Sequence, residues 1–316
     1  MGDIAKGVLG GGWALLVGWI LPAALNLAVF TLAVAPSLHR PTVLDPLWPA
    51  TGGPTALVLL VAAVLLGLVL NALQTPLYRA LEGYTLWPAA AYERGCRVQR
   101  SRRQRAVDRL ADPAFTSPIR RALLQGKLSR YPVSGEQVAP TRLGNAIRRL
   151  EEYGYDRYRL DTQVLWNELT SAAPEPTTKQ VVTARTSVDF FLALLYGHAA
   201  VAVTAFASLS ASHAHRSVLV LAGVSLIVLI PVWYNAAVAA TDEWAAAVRA
   251  LVNLGRKPLA DGLGLALPKS LEDERRMWKL VTRMSAKAYA PAADAAFAPY
   301  RVDPSQAAGE QTQPVS

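Results

Sequence analysis

Four stretches of the chain are apolar and long enough to cross a bilayer: Gly10–Ala35, Thr55–Leu73, Ser187–Leu209 and Ser217–Val238. At a rise of about 1.5 Å per residue, about 20 such residues cover a hydrocarbon core of about 30 Å. Thr55–Leu73 carries no charge and a single amide, Asn71. Directly after it, Pro76–Trp87 sets Arg79 and Glu82 among Leu77, Tyr78, Leu81, Tyr84 and Trp87. That mixture predicts a helix leaving the bilayer for the interface, where Tyr and Trp settle. The first run holds Trp13, Trp19, Pro22 and Asn26, and Pro22 is tolerable inside a membrane helix as a kink. Ala33-Val34-Ala35 has the small-residue pattern of a signal-peptide cleavage site. The run exceeds the usual h-region of about 7–15 residues, and Pro36 would follow the cut, so an uncleaved first span is expected. The third run opens near Asp189 and contains Tyr196 and His198; the fourth contains Pro231 and Asn235. Only the polar stretch Ser210–Arg216 joins them, which predicts an antiparallel hairpin.

The polar segments between the runs differ in kind. Met1–Gly7 is short and weakly charged, and Ser37–Pro54 is a cation-poor loop rich in proline and glycine, with Trp48 at interface height. Ala89–Thr186 is the soluble middle. Within it, Tyr92–Leu110 reads as a helix clustering Arg94, Arg97, Arg100, Arg102, Arg103 and Arg105, and Pro113–Val138 reads as an irregular stretch broken by Pro118, Pro132 and Gly135. In Pro140–Leu169, Thr141 is a natural N-cap and Leu143, Ala146, Ile147 and Leu150 recur at helical spacing. Gly154 fits a C-terminal stop, and Asp161 can cap a second short helix bearing Val164, Leu165, Trp166 and Leu169. After the fourth run a helical pattern continues over Ala236–Leu254 until Gly255, Pro258 and Gly262 break it. Ser270 with Asp273 then resembles a capping box opening Ser270–Tyr289. Beyond about Ala290, Ala, Pro, Gln and Ser dominate, a composition that stays disordered. No repeat of 20–50 residues is apparent.

Composition agrees with a membrane protein: 52% of residues are hydrophobic, 17% are charged and the mean hydropathy is +0.23. The net charge of +9 is unevenly placed, with 19 of the 32 Lys and Arg in Pro76–Thr186 and 10 after Thr241. Cations beside apolar runs follow the positive-inside rule, and that accounts for the basic pI better than nucleic-acid binding does. The expected product is an all-α integral membrane protein of the plasma membrane. It has four transmembrane helices in two hairpins and a helical cytoplasmic part, with both termini inside. Residues 1–75 form the first hairpin, with spans at about 10–35 and 55–75. Residues 76–186 supply an interfacial helix and a cytoplasmic segment. Residues 187–240 form the second hairpin, with spans at about 188–209 and 217–239. Residues 241–302 are cytoplasmic C-terminal helices and 303–316 a disordered tail.

Catalytic signatures are scarce. The chain has no P-loop, H-E-x-x-H, paired C-x-x-C or G-x-S-x-G, and Gly262-Leu263-Gly264 lacks the third glycine of a dinucleotide loop. No catalytic residue, cofactor or metal site is assigned. His213 and His215 form H-x-H without further ligands nearby in sequence. The one thiol, Cys96 between Arg94 and Arg97, cannot form an intramolecular disulfide; juxtamembrane palmitoylation and plain packing are its alternatives. The arginines of Tyr92–Leu110 have three readings: contact with anionic inner-leaflet lipids, contact with nucleic acid, or a solvated face. The intramembrane polar candidates are Asn26, Asn71, Asp189, His198 and Asn235. The three asparagines are expected to hydrogen-bond between helices, with an ion or proton path as the alternative. Asp189 and His198, nine residues apart, fall on opposite helix faces at about 100° per residue and make a poor shared relay. Glu151, Glu152, Asp156 and Asp161 lie among Arg148, Arg149, Arg157 and Arg159, where ion pairing accounts for them more simply than acid–base catalysis.

Two stretches carry a resemblance: Asn71–Tyr84 (NALQTPLYRALEGY), and Pro140–Asn145 (PTRLGN) with Glu152–Tyr158 (EYGYDRY) and Leu165-Trp166. Together the chain resembles uncharacterised multi-pass integral membrane proteins of high-GC bacteria. The resemblance implies a plasma-membrane protein and carries no activity or functional residues with it. Three functions remain. The first is a membrane-anchored interaction or regulatory protein whose cytoplasmic face binds a protein partner or a second copy. The second is an oligomeric channel or transporter. The third is a membrane enzyme built on Tyr153–Asp161.

Overall fold

The computed structural model describes residues 12–38, 53–115, 117–212, 214–288 and 291–302. Met1–Gly7, nearly all of the Ser37–Pro54 loop, His213 and the 303–316 tail lie outside the described residues. Among those described the chain is all-helical, with one isolated antiparallel bridge between Leu265 and Arg301 and no strand. Four helices are long and apolar enough to cross a membrane: α1 (Gly12–Ser37), α2 (Gly53–Ala72), α9 (Glu175–Ala207) and α10 (Arg216–Gly262). Between them lie α3 (Gln74–Glu82), α4 (Ala89–Ala111), α5 (Pro118–Leu128), α6 (Arg142–Glu151), α7 (Tyr153–Tyr158) and α8 (Trp166–Ala172), and after them α11 (Leu271–Ala286) and α12 (Pro291–Phe297).

Local sequence explains several boundaries. In α1 a wide π-turn at Leu16–Ile20 precedes Pro22. It relaxes the contact that a proline ring makes with the carbonyl four residues earlier. Leu73 separates α2 from α3, and Gly83, at φ +96°, closes α3 in the left-handed region that suits glycine. Thr141 Oγ1 accepts from Gly144 N at 2.9 Å, and Ser270 Oγ accepts from Asp273 N at 3.1 Å. These are the two N-terminal caps expected of α6 and α11.

Other elements depart from expectation. Pro118 opens a helix, α5, in the stretch expected to be irregular, because a proline in the first turn removes only an N–H that would lack a partner anyway. Gly154 sits inside α7, and Arg159 at φ 62° ends that helix. Gly154 is small for packing: a Cβ there would lie 2.6 Å from Thr162 Cγ2 and 2.8 Å from Leu160 O. Asp161 Oδ1 accepts from Gln163 N and Val164 N, so it caps the turn ahead of α8 rather than α8 itself. α10 runs unbroken through Gly255 and Pro258. Gly255 serves close packing, since a Cβ would sit 3.0 Å from both Leu169 and Ala173 side chains. Beyond Ala290 the chain is helical over α12 and a short 3₁₀ turn at Ala298–Tyr300, not featureless.

The chain divides into two units. The first comprises Met1–Gln99, Ala139–Gly144 and Val182–Glu243; the second comprises Arg100–Val138, Asn145–Val181 and Trp244–Ser316. In the first, small residues set the helix contacts. A Cβ on Gly67 would lie 2.7 Å from Ile20 Cγ1, and one on Gly223 2.8 Å from the Phe206 ring. Such close approach is how helices associate where lipid gives no hydrophobic drive. Val34, Val201, Ala202, Ala205, Leu219 and Leu226 form a buried cluster joining α1, α9 and α10. Leu57, Leu60 and Leu65 of α2 and Leu221 and Val228 of α10 face outward. In the second unit the core includes Leu160, Leu165 and Leu169 with Leu251, Met277 and Trp278, all almost fully buried.

Candidate functional site

The intramembrane polar candidates sort by partner. Asp189, on α9, is buried and accepts from Tyr78 Oη on α3 at 2.6 Å. Arg185, one turn earlier, has its Nε 3.9 Å from the Asp189 carboxylate and donates through Nη2 to Gln74 Oε1 at 2.9 Å. Tyr196 Oη donates to the Leu77 carbonyl at 2.8 Å. Three side chains along about three turns of α9 thus staple it to α3. Burial first, and the facing carboxylate second, hold the Tyr78 phenol well above its ordinary pKa, so it remains a donor. Gly18 of α1 lies against the same place, where a Cβ would be 3.2 Å from Asp189 Cβ.

Further along α9, His198 meets Asn26 of α1. Asn26 Nδ2 donates to Pro22 O at 2.8 Å, which turns its Oδ1 toward His198 Nδ1, also at 2.8 Å. A carbonyl oxygen only accepts, so Nδ1 is the donor in this contact. Gly197 makes room: a Cβ there would fall 2.1 Å from Asn26 Nδ2. Trp233 of α10 stands edge-on to His198, ring centroids 5.9 Å apart, and stacks on Phe191 at 6.1 Å. Asp189 and His198 therefore serve different contacts, as their opposite faces require. Asn71 is half-buried, and its side chain has no hydrogen-bond partner among the described residues. Asn235 is engaged by Arg142, from outside the four long helices.

That contact belongs to a clasp that sequence reasoning missed. Pro140–Gly144 packs into space left by three glycines. A Cβ on Gly83 would lie 2.2 Å from Pro140 Cγ, one on Gly95 2.5 Å from Pro140 Cβ, and one on Gly144 2.6 Å from Glu82 O. Thr141 Oγ1 donates to Glu82 O at 3.3 Å. Arg142 then hydrogen-bonds Asn235 and stacks over the Tyr234 ring at 5.6 Å, while Tyr234 Oη accepts from Leu143 N at 3.2 Å. The segments around Gly83 and around Pro140 are thus packed together within the first unit. The legible signal was the glycines; the contacts they serve join positions far apart in sequence.

The arginines of α4 divide into two sets. Arg100 donates from Nε to Gly135 O at 3.2 Å and from Nη2 to Glu136 O at 3.5 Å, and Arg103 donates to Val133 O at 3.3 Å. These two clamp the 133–136 segment beside an open pocket of about 470 Å³, also lined by Ser101, Gln104 and Val138. Arg94, Arg97, Arg102 and Arg105 are exposed and lie on the other side of the helix, within about 140° at about 100° per residue. Cys96 is buried, so packing rather than lipidation accounts for it.

In the second unit, the Tyr153–Asp161 segment is tied into α10 and α11. Tyr153 and Tyr158 hydroxyls both donate to Asn253 Oδ1, at 3.1 and 2.9 Å. Arg256 lies over the Tyr158 ring at 4.5 Å and donates to both carboxylate oxygens of Glu274, which is 4% exposed. Trp278 Nε1 donates to Glu274 Oε1 at 3.1 Å. Arg275 donates to the Asp156 and Arg157 carbonyls, and Arg149 pairs with Asp156 at 3.5 Å. Partial burial pushes the Glu152 carboxyl up from its ordinary pKa, against a hydrogen bond from Val133. These residues hold helices together. His215 uses its backbone N–H, on Ser37 Oγ at 3.2 Å, and no group of three or more potential metal ligands occurs among the described residues. No protein-family model, no curated protein and no solved structure matches the chain.

Proposed function

We propose that this chain is a multi-pass plasma-membrane protein acting as an anchored interaction or regulatory module through a cytoplasmic helical part. One observation carries this: Asn26, Asp189, His198 and Asn235 are engaged by side chains of other helices. Their presence in apolar helices is thereby accounted for as helix-to-helix fastening, without an ion path. The contacts support two hairpins. Ser37 meets His215, while Gly18 meets Asp189 and Thr186, so the starts of α1 and of the α9 span share one end and the α9–α10 turn marks the other. The placement of Lys and Arg supports both termini and the middle segment inside. The exposed set Arg94, Arg97, Arg102 and Arg105 suits anionic inner-leaflet lipid, at about 1 kcal/mol per cation near the surface.

The test has two arms. The purified full chain, affinity-tagged, should capture a cytoplasmic protein or a second copy when solubilised from its own membranes. Reconstituted into liposomes, it should leave cation and proton gradients intact. Ion flux that disappears on Asp189→Leu, with no partner captured, would overturn this function in favour of a transporter.

A further inference from the structure

α5 presents a surface that its own unit leaves uncovered. None of its residues is buried. At about 100° per residue, Ile119, Ala122, Leu123 and Gly126 share an arc of about 100°, and Ile119 is 75% and Leu123 64% exposed. The opposite side is the packed one: Arg121, Leu124 and Leu128 are half-buried, and Arg121 Nη1 donates to Phe115 O at 3.0 Å. Arg120 and Lys127 lie along one edge of the apolar arc. No acidic residue occurs between Asp112 and Glu136, whereas Arg120, Arg121, Lys127 and Arg130 all fall there.

We infer that α5 is an interfacial helix whose Ile119–Leu123 face lies in the headgroup layer of an anionic bilayer. An apolar stripe with long cations at its edge is what such a surface takes up: Ile and Leu enter the acyl boundary, while Arg and Lys bury their stems and keep their charged ends on lipid phosphates. The all-cationic composition of the segment selects anionic over zwitterionic lipid. The four apolar helices bring a bilayer to the chain, so lipid is the occupant that needs no further partner; the inference rests on that membrane reading.

The test uses the full chain in nanodiscs, with Cys96→Ser and one new thiol at a time: Ile119→Cys, Leu123→Cys or Gln125→Cys, each carrying an environment-sensitive fluorophore. Should Cys96→Ser fail to fold, the native buried thiol can stay, since it is only 5% exposed. In discs containing phosphatidylglycerol, labels at 119 and 123 should shift to the blue and be quenched by nitroxide lipid, and the label at 125 should do neither. In phosphatidylcholine discs, and at high salt, the shift should shrink. Labels at 119 and 123 that stay unquenched in phosphatidylglycerol overturn the inference. So does a blue shift in detergent that grows with protein concentration, which would assign the face to a second copy. A chain that never enters discs defeats the membrane reading itself, whereas one that enters with 119 and 123 in water defeats only this inference.

Discussion

In the unit that holds the four apolar helix segments, Asp189 with Tyr78 and Arg185, and His198 with Asn26, form two small separate clusters. In the other unit one continuous network runs from Tyr153 and Tyr158 through Asn253 and Arg256 to the buried Glu274 and Trp278. The difference follows from what each group needs. A polar group in an apolar helix is met by one or two partners, and in a membrane the competing states find partners too, so each cluster acts alone. A buried carboxylate paired with an arginine must be matched by charge and further donors, and the groups that match it become interdependent.

The sharpest way to break that comparison is Glu274→Ala, which strands Arg256 and the Trp278 indole N–H. Removing one partner of a buried pair costs about 3–5 kcal/mol, to be read as thermal unfolding of the purified full chain. The joint change Arg256→Met with Glu274→Leu should recover much of that loss. Near-equal losses from the single and joint changes would show no network. Tyr78→Phe comes next: it removes the shortest donor to the Asp189 carboxylate and leaves Arg185 beside it, at about 1.5–3 kcal/mol for a hydrogen bond to a charged group. Gly197→Ala should displace Asn26 and cost the His198 contact, about 0.6–1.7 kcal/mol. Combined with Tyr78→Phe its effect should simply add, because the pairs share no residue. The smallest effect is electrostatic. The Glu152 carboxyl has a raised pKa in the folded chain, so its protonation favours folding and its penalty is full only above that pKa. Glu152→Gln should therefore raise the melting temperature slightly at neutral pH, and the gain should vanish as pH falls below the ordinary glutamate range.

The four helices long and apolar enough to cross a membrane were legible because such helices need long uninterrupted apolar runs, as in Thr55–Leu73. Helix ends were less legible. α10 continues through Gly255 and Pro258; Gly255 serves the close approach of Leu169 and Ala173, and that contact is invisible along the chain. Pro118 was read as a breaker, yet at the first turn of α5 it starts a helix. The Asn235 partner could not be foreseen either: it is Arg142, delivered by the close fit of Pro140 against Gly83 and Gly95. Of the six arginines grouped by sequence, the structure turns Arg100 and Arg103 onto backbone carbonyls. Helical phase separates them from the other four once the packed side is known.

The most direct measurement is a topology reporter fused within Glu136–Leu169 and read in intact cells. The account predicts activity only from a reporter that works in the cytoplasm, with the chain extracted by detergent and not by buffer. Activity from a reporter that works outside the membrane, or recovery of the chain in the buffer-soluble fraction, would contradict it.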